Sequence, residues 1–374
     1  MYLPIMPTIQ KAFGVSTVLT TTTFSMVLFV MAFGTLIYGS VSERLGRRPA
    51  LLGGLVLFVG GSFVCAVAES FTMLMVGRFL QALAAGCGVV LARAIARDVY
   101  GPDRLAQVIA YITAAYVLGP TFAPVVGGFL SDLFGWNAVF VFAVVMSVLV
   151  VVLAATVIGE THHRRRATSR RFSSVIHDYA RLVRNRVFIC YALNPALTSG
   201  AFFAMASYAS YLMADHYRGT AGEYSLYFVL LTVGFMGGNF VSGRIGNRMR
   251  TETMVFAGSM FGLLTVALLA AGVLLLPDEP LALFLPGAVI GIAQGLSMPF
   301  AQAAAINAEP DLTGTASGFV MFLHFLIAAI ASLFISTLYD GTFYPLLVVL
   351  FALIATSLTF GVLANRASRR RAAS

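Results

Sequence analysis

The segment Gly39-Ser-Val-Ser-Glu43-Arg44-Leu45-Gly46-Arg47-Arg48 separates two long, mainly apolar runs at residues 17–38 and 50–68. Each run is long enough for a transmembrane helix, which takes about 20 residues to cross a bilayer. Short loops that are rich in arginine stay in the cytoplasm. The segment is therefore predicted to be a tight cytoplasmic turn between two membrane-spanning helices.

The composition of the whole chain indicates a polytopic helical membrane protein. Of its 374 residues, 59% are hydrophobic and 10% are charged, whereas soluble domains carry about 25% charged residues. The net charge of +9 could indicate a nucleic-acid partner. However, all basic residues except Lys11, Arg78 and Arg218 fall in predicted inner loops or the C-terminal tail. The charge therefore reports membrane orientation, and no nucleic-acid partner is predicted.

The apolar runs predict eleven complete spans and one partial helix. The spans lie at residues 17–40, 49–68, 72–93, 105–130, 136–158, 187–212, 224–244, 252–276, 281–305, 314–337 and 342–364. Arginines mark every second loop, as the positive-inside rule requires. The helix at 17–38 would then run inward, so residues 1–15 would lie on the outer side of the membrane, and an earlier helix would be needed to carry them there. This placement predicts that the first transmembrane helix is truncated and Met1 is an internal methionine; the alternative is a natural external N-terminus.

The spans divide into two bundles joined by a basic linker. We expect an N-terminal bundle at 1–160, a cytoplasmic linker at 161–186, a six-helix C-terminal bundle at 187–365 and a basic cytoplasmic tail at 366–374. Apolar residues at helical spacing in the linker predict an amphipathic helix at the membrane interface. These residues are Val175, Ile176, Tyr179, Leu182 and Val183.

Patterns typical of metal sites and enzymes do not occur in the sequence. His162 and His163 are adjacent, but a metal site would need a second pair of ligands, so a solvated loop is favoured. Cys65, Cys87 and Cys190 lie singly in apolar runs, as packing residues do. There is no nucleophile and base pair, HExxH motif or phosphate loop at usable spacing. We therefore predict no metal, no cofactor and no enzymatic activity.

A weak internal repeat relates the two predicted bundles. The segment at residues 42–48 recurs as Ser242-Gly243-Arg244-Ile245-Gly246-Asn247-Arg248, and Pro102-Asp103 has a counterpart in Pro310-Asp311. Secondary transporters use such repeats to build a central site that opens alternately to each side of the membrane. The repeat therefore favours a transporter made of two related halves.

Polar side chains inside the spans mark further candidate positions, because they are costly to place in a bilayer. Arg78 lies among apolar residues, with Gln81 one turn away. It either snorkels to the outer interface or organises polar groups in a cavity. In the second half, polar side chains at cavity depth include Asn194, Asn239, Gln294 and His324. For His324, a structural hydrogen bond and a protonation role both remain open.

Two of these segments resemble motifs of the major facilitator superfamily of transporters. The order Gly-x-x-x-acid-Arg-x-Gly-Arg-Arg resembles the loop between helices 2 and 3, and Arg78-x-x-Gln81 resembles the fourth-helix motif, with Ala82 where glycine is usual. The resemblance implies an all-α membrane fold of two six-helix bundles. It also implies a cytoplasmic latch with Arg47 near Asp98, and Glu43 near the start of the helix at 314–337. The latch residues are Gly39, Glu43, Arg44, Gly46, Arg47, Arg48 and Asp98.

The predicted helix at 105–130 carries a second motif, formed by Gly119, Pro120, Pro124, Gly127 and Gly128. The spacing of Gly119, Ala123 and Gly127 predicts a flat seam for close helix packing, and each proline removes a backbone donor and bends the helix. The motif resembles the fifth-helix motif of drug/proton antiporters. The opening stretch Met1-Tyr-Leu-Pro resembles the first helix of the bicyclomycin/chloramphenicol resistance branch, in which an aspartate commonly precedes it.

The resemblance implies an exporter of small amphipathic drugs that works by alternating access in exchange for protons. Its partners would be the drug, protons and the lipid bilayer of the bacterial inner membrane, and we expect a monomer. The sequence contains 31 Phe, 15 Met and 14 Tyr, which would suit a cavity for varied apolar compounds. Two alternatives stay open: a metabolite uptake carrier of the same fold, and a truncated membrane protein or receptor that does not transport.

Overall fold

The computed structural model describes residues 1–161, 172–245 and 248–373. Within these ranges the chain forms α-helices joined by short turns, and it contains no β-strand. The predicted all-α fold class is therefore confirmed. The chain divides into two compact units, Met1–Ser169 and Arg170–Ser374.

The first unit contains five described helices. They are α1 (Tyr2–Phe13), α2 (Thr17–Leu45), α3 (Arg47–Ala66), α4 (Phe71–Phe134) and α5 (Asn137–Val157). Serine side chains cap two of them: Ser16 Oγ accepts the Leu19 N–H at 3.2 Å, and Ser70 Oγ accepts the Met73 N–H at 3.2 Å. Such caps satisfy backbone donors that have no partner inside the helix. The turns of this unit can therefore be short.

The spans predicted at 72–93 and 105–130 belong to one helix in the structure. Helix α4 is continuous over 64 residues, but it does not run straight. The Arg78 guanidinium lies against the Tyr2 ring, and Gly127 lies against Met1. In a straight helix, residues 78 and 127 would be about 74 Å apart at a rise of 1.5 Å per residue. Helix α4 therefore reverses direction between these two residues, which is compatible with two antiparallel spans.

The described residues contain ten helical segments that are long and apolar enough to cross a membrane. They are Thr17–Thr35, Arg47–Ala66, Phe71–Tyr100, Asn137–Val157, Arg186–Asp215, Ala221–Ile245, Thr251–Leu275, Leu281–Asn307, Thr315–Thr337 and Tyr344–Ser368. Thr121–Phe134 is a shorter apolar segment within α4. The chain is a multi-pass membrane protein, as its composition predicts.

The second unit contains seven described helices. They are α6 (Phe172–Arg184), α7 (Arg186–Asp215), α8 (Ala221–Ile245), α9 (Thr251–Leu275), α10 (Leu281–Asn307), α11 (Thr313–Thr337) and α12 (Tyr344–Ala373). Helix α7 lies at the centre, where it packs against α10, α11 and α12. Most of its residues are buried. Polar side chains on α7 therefore contact neighbouring helices.

Helices α8 and α10 approach to backbone contact through facing glycines. A Cβ on Gly234 would overlap the carbonyl oxygen of Ala288, and a Cβ on Gly238 would lie 2.5 Å from the carbonyl oxygen of Ile292. Helix α10 contributes glycines at four-residue spacing, Gly287, Gly291 and Gly295. This spacing places them on one face. The sequence analysis did not single out this row, which sets the distance between the two helices.

We expect Gly234→Ala to destabilise the second unit, because the new methyl group would push α8 away from α10. Overpacking of this kind costs about 1–3 kcal/mol. Gly237→Ala is the matched control on the same helix, because a Cβ there has no neighbour within 4 Å. Thermal unfolding of the purified protein in detergent measures the difference. Equal melting temperatures for the two variants would contradict the prediction.

The amphipathic helix predicted in the linker is present as α6, but it packs on the second unit. Leu182 is fully buried against residues of α7 and α11. The ring of Tyr179 lies 5.3 Å from that of Phe319, measured between centroids. Leu182 and Tyr179 therefore have partners within the second unit, whereas Val183 is 50% exposed. The position of α6 at the membrane interface stays a prediction.

A polar cluster fixes the end of α6 to the turn between α10 and α11. Arg181 Nη2 lies 2.7 Å from Glu309 Oε2 and 3.6 Å from Asp311 Oδ2. Asn185 Nδ2 donates to Glu309 Oε1 at 2.8 Å, while Asn185 Oδ1 accepts the Val187 N–H at 3.0 Å and caps α7. Glu309 therefore connects the linker helix to the bundle. The sequence analysis noted only Asp311 in this turn.

We expect Glu309→Gln to loosen α6, because the amide keeps an acceptor for Asn185 but loses the charge that pairs with Arg181. The Arg181 side chain is 47% exposed, and solvent-exposed ion pairs contribute only about 0.2–1 kcal/mol to stability. The expected effect is therefore small. Hydrogen exchange of the α6 amides should rise by about two- to fivefold. Asp311→Asn is the control, because that carboxylate is farther from Arg181 and 81% exposed. Equal exchange in both variants would contradict this role for Glu309.

Candidate functional site

Arg47 and Asp98, which the sequence analysis expects in one latch, lie together at one end of the first unit. Arg47 Nε is 3.0 Å from Asp98 Oδ2, and the two side chains are 11% and 21% exposed. Arg47 Nη1 also donates to Ser42 Oγ at 2.5 Å. A single guanidinium thus connects the end of α2, the start of α3 and the middle of α4.

Glu160 completes this cluster, although the sequence analysis did not identify it. Its Oε1 accepts the Arg47 N–H at 3.0 Å, and its Oε2 accepts the Arg48 N–H at 3.2 Å. These are the first N–H groups of α3, which have no acceptor within the helix. The helix dipole also favours an anion at this end. Glu160 therefore caps α3 from the segment that follows α5.

Gly46 allows this close approach of Glu160. Its φ angle is +102°, a conformation that residues with a side chain rarely adopt. A Cβ at this position would also lie 2.6 Å from Glu160 Oε2. The backbone conformation therefore favours glycine at position 46, and a side chain there would also displace the Glu160 carboxylate from the start of α3.

The other predicted latch residues are placed by the structure in different ways. Arg48 Nη2 donates to the Ala155 carbonyl oxygen at 2.8 Å, which ties the turn to α5. Gly39, Glu43 and Arg44 lie on the last turns of α2. The side chains of Glu43 and Arg44 lie outside the described part of the chain, and so does the predicted approach of Glu43 to the helix at 314–337.

We expect Glu160→Ala to destabilise the first unit, because it leaves the first N–H groups of α3 without their carboxylate acceptor. Loss of an N-terminal cap costs about 0.5–2 kcal/mol. Glu69→Ala is the control, because Glu69 is an exposed glutamate near the opposite end of α3. Thermal unfolding and hydrogen exchange of residues 47–52 measure the effect. Unchanged exchange in Glu160→Ala would show that the carboxylate is dispensable.

Arg78 and Gln81 lie in a polar cluster that involves α1, α3 and α4. Arg78 Nη1 donates to Gln81 Oε1 at 2.9 Å, and Gln81 Nε2 donates to Ser62 Oγ at 2.8 Å. The Arg78 guanidinium carbon lies 4.1 Å from the centroid of the Tyr2 ring, in a cation–π contact. The guanidinium thus contacts protein groups, as the cavity interpretation of Arg78 requires.

The Arg78 guanidinium retains unused hydrogen-bonding capacity. Its Nε is buried and has no hydrogen-bond partner among the described residues. Among the described residues of the first unit, the ion pair joins Arg47 to Asp98 and does not include Arg78. Arg78 is thus a cation in a predicted span without a described carboxylate partner. Such a group can receive an anionic or polar ligand.

The proline and glycine residues of the predicted fifth helix lie in the second half of α4. Gly127 is packed tightly: a Cβ there would lie 2.8 Å from Met1 Cα. Gly128 and Pro124 are also buried, whereas Gly119 is exposed and a Cβ there would have no neighbour within 4 Å. Close packing is thus observed at Gly127, and a seam at Gly119 stays a prediction. The Pro120 side chain lies outside them.

Gln294 and His324 meet through a serine in the second unit. Gln294 Nε2 donates to Ser199 Oγ at 2.7 Å, and Ser199 Oγ lies 2.8 Å from His324 Nδ1. All three side chains are buried. The chain Gln294–Ser199–His324 therefore connects α10, α7 and α11. Ser199 carried no signal in the sequence, because a small hydroxyl residue is ordinary in a transmembrane helix.

The other two predicted polar residues of this unit lie apart from that chain. Asn194 Nδ2 donates to the Ser357 carbonyl oxygen at 2.8 Å and lies 2.9 Å from Ser357 Oγ, which joins α7 to α12. Asn239 Nδ2 donates to the Phe235 carbonyl oxygen at 2.9 Å, one turn back on α8. The structure therefore brings together Gln294 and His324, but not Asn194 or Asn239.

Residues 1–332 of the chain match the sequence profile of the family described as Major Facilitator Superfamily. A bicyclomycin resistance protein homolog from Haemophilus influenzae is 26% identical, and the match covers 96% of this chain and 89% of that protein. Multidrug resistance protein D from Escherichia coli is 26% identical over 79% of this chain and 74% of that protein.

Solved structures show the same fold at low sequence identity. The match to a crystal structure of the peptide transporter POT in complex with alafosfalin covers 99% of this chain and 90% of the transporter chain, with 15% identity and a TM-score of 0.78. The match to the crystal structure of a D-xylose-proton symporter covers 97% of this chain and 92% of the symporter chain, with 13% identity and a TM-score of 0.76.

Proposed function

Because the chain belongs to the major facilitator superfamily, which makes it a membrane transporter and not an enzyme, we propose that it exports small amphipathic drugs in exchange for protons. Transport would proceed by alternating access in the bacterial inner membrane, and the chain would act as a monomer. The proposal is supported by relatives named as bicyclomycin resistance and multidrug resistance proteins, which match along most of the chain.

The observation that carries the proposed coupling is the environment of Arg78. A guanidinium inside a span is costly, and its partly satisfied state is therefore a sign of function. We assign Arg78 to the organisation of the proton-coupling or substrate group, with Gln81 and Tyr2 holding it in position. An anionic group that approaches Arg78 in one conformational state would gain a partner for its charge, and its protonation would release that partner.

The Arg47 cluster would stabilise one state of the transport cycle. Its contacts tie three helices of the first unit, at the end that the positive-inside rule places in the cytoplasm. We propose that Arg47, Asp98 and Glu160 keep this end of the unit in a fixed arrangement while the drug is released on the other side. Gln294 and His324 are proposed as polar contacts for substrate in the second unit.

We expect Arg78→Ala to abolish drug export while the protein still inserts into the membrane, because the variant lacks the coupling cation. In a pump-deficient bacterium, ethidium efflux should fall at least tenfold relative to the parent chain, and the parent's efflux should stop with a protonophore. Arg78→Lys should fall nearly as far, because an ammonium lacks the planar fork of the guanidinium. Arg218→Ala is the control, since Arg218 is exposed and lies between α7 and α8.

Three outcomes would count against the proposal. Efflux by Arg78→Ala at the rate of the control would remove Arg78 from the mechanism. Efflux by the parent chain that continues with the protonophore would exclude proton coupling. Ethidium or another drug that accumulates inside the cells at matched expression would favour an uptake carrier.

A further inference from the structure

A cavity of about 640 Å³, open to the surface, lies in the second unit between the start of α9 and the end of α10. Both helices are candidate spans, and they meet here at the end that the positive-inside rule places in the cytoplasm. The cavity has a polar side, which includes Arg248, Arg250 and Asn307. Its apolar side includes Met249 and Phe300. An occupant with both a charged part and an apolar part would match this lining.

The charge of the lining favours an anion. Arg248 and Arg250 both line the cavity, and neither has a carboxylate within ion-pairing distance in the described ranges. Glu252 is the one acid of the lining, so cations outnumber anions there. Arg244 belongs to the same basic turn but lies elsewhere, since its guanidinium carbon is 5.7 Å from the centroid of the Phe240 ring.

The start of α9 adds backbone donors to the same cavity. Arg250 occupies the N-cap position and makes no side-chain capping bond. The first N–H groups of α9, at Thr251 and Glu252, have no acceptor within the helix. The internal repeat relates this turn to the one before α3, where Glu160 supplies a carboxylate. In the second unit, the described residues offer two arginines and a cavity in place of that carboxylate.

We propose that this cavity binds a phosphate group, and that its source is the headgroup of an anionic phospholipid in the cytoplasmic leaflet. Basic pockets between transmembrane helices on this side of the membrane bind such headgroups. Arg248 and Arg250 would pair with the phosphate oxygens, and Met249 and Phe300 would contact the first part of an acyl chain. The lipid source is favoured over free phosphate because about half of the lining is apolar. The proposal does not depend on drug export.

Native mass spectrometry of the full-length protein in mild detergent tests the site with phosphatidylglycerol and phosphatidylcholine as probes. Phosphatidylglycerol should bind at least tenfold more tightly than phosphatidylcholine. Arg248→Gln together with Arg250→Gln should weaken phosphatidylglycerol binding about tenfold or more, since each basic residue near the surface attracts anionic lipid. Arg244→Gln is the matched control, because it removes a charge from the same turn without changing the lining, and its binding should stay within about twofold of the parent.

A second readout keeps the test decisive if the double variant does not fold. The rise in melting temperature on addition of phosphatidylglycerol should be smaller in Arg248→Gln alone than in Arg244→Gln. Equal lipid binding by the double variant and the parent would overturn the proposal. An equal loss in Arg244→Gln would also overturn it, because general charge attraction would then explain the binding. Displacement of the lipid by excess inorganic phosphate would keep the anion site but overturn the lipid source.

Discussion

A bilayer offers no water to the backbone, so each N–H and C=O group in the apolar region needs a partner within the protein. This constraint accounts for the helical architecture. At the helix ends, the first N–H groups lack an acceptor within the helix and need one from elsewhere. Ser16, Ser70 and Asn185 each supply a side-chain acceptor to the first turn of a helix. Glu160 does the same for α3 from a distant part of the chain. The end contacts thereby determine which turns can be short and which helices are neighbours.

The two units differ in the kind of polar contact they place inside. The first unit has charged groups: the Arg47 and Asp98 pair, the Glu160 cap and the Arg78 guanidinium over Tyr2. In the second unit, the contacts that join Gln294, Ser199 and His324 are between uncharged groups, and Arg181 pairs with Glu309 and Asp311 at the turn between α10 and α11. Charged contacts respond more strongly to protonation and to salt than neutral ones. Under the proposed function, the first unit therefore carries coupling and the second unit carries substrate contacts.

Hydropathy and arginine placement predicted most of the spans, because long apolar runs have few alternatives to a membrane helix. Gln81 could be placed beside Arg78 because residues three apart share a helix face. The contact between Arg47 and Asp98 came only from the family resemblance. Glu160 lay beyond sequence reasoning, since 113 residues separate it from Arg47 and nothing local marks the pairing. The sequence also did not predict that the backbone between the spans at 72–93 and 105–130 is helical, because a cluster of arginines marks a membrane boundary and not a helix end.

Backbone contact along α8 and α10 has a consequence for how the second unit can move. Packed helices slide when flexible side chains between them change rotamer. At Gly234 and Gly238, the backbones of α8 and α10 are in contact without a side chain of α8 between them. These two helices are therefore expected to move together as one rigid body. Helix α7 meets α11 and α12 through larger groups, such as the Ile327 side chain beside Gly200. Sliding within the unit would therefore occur between α7 and its neighbours. Helices α8 and α10 would move together, and Gln294 of α10 would shift relative to Ser199 of α7.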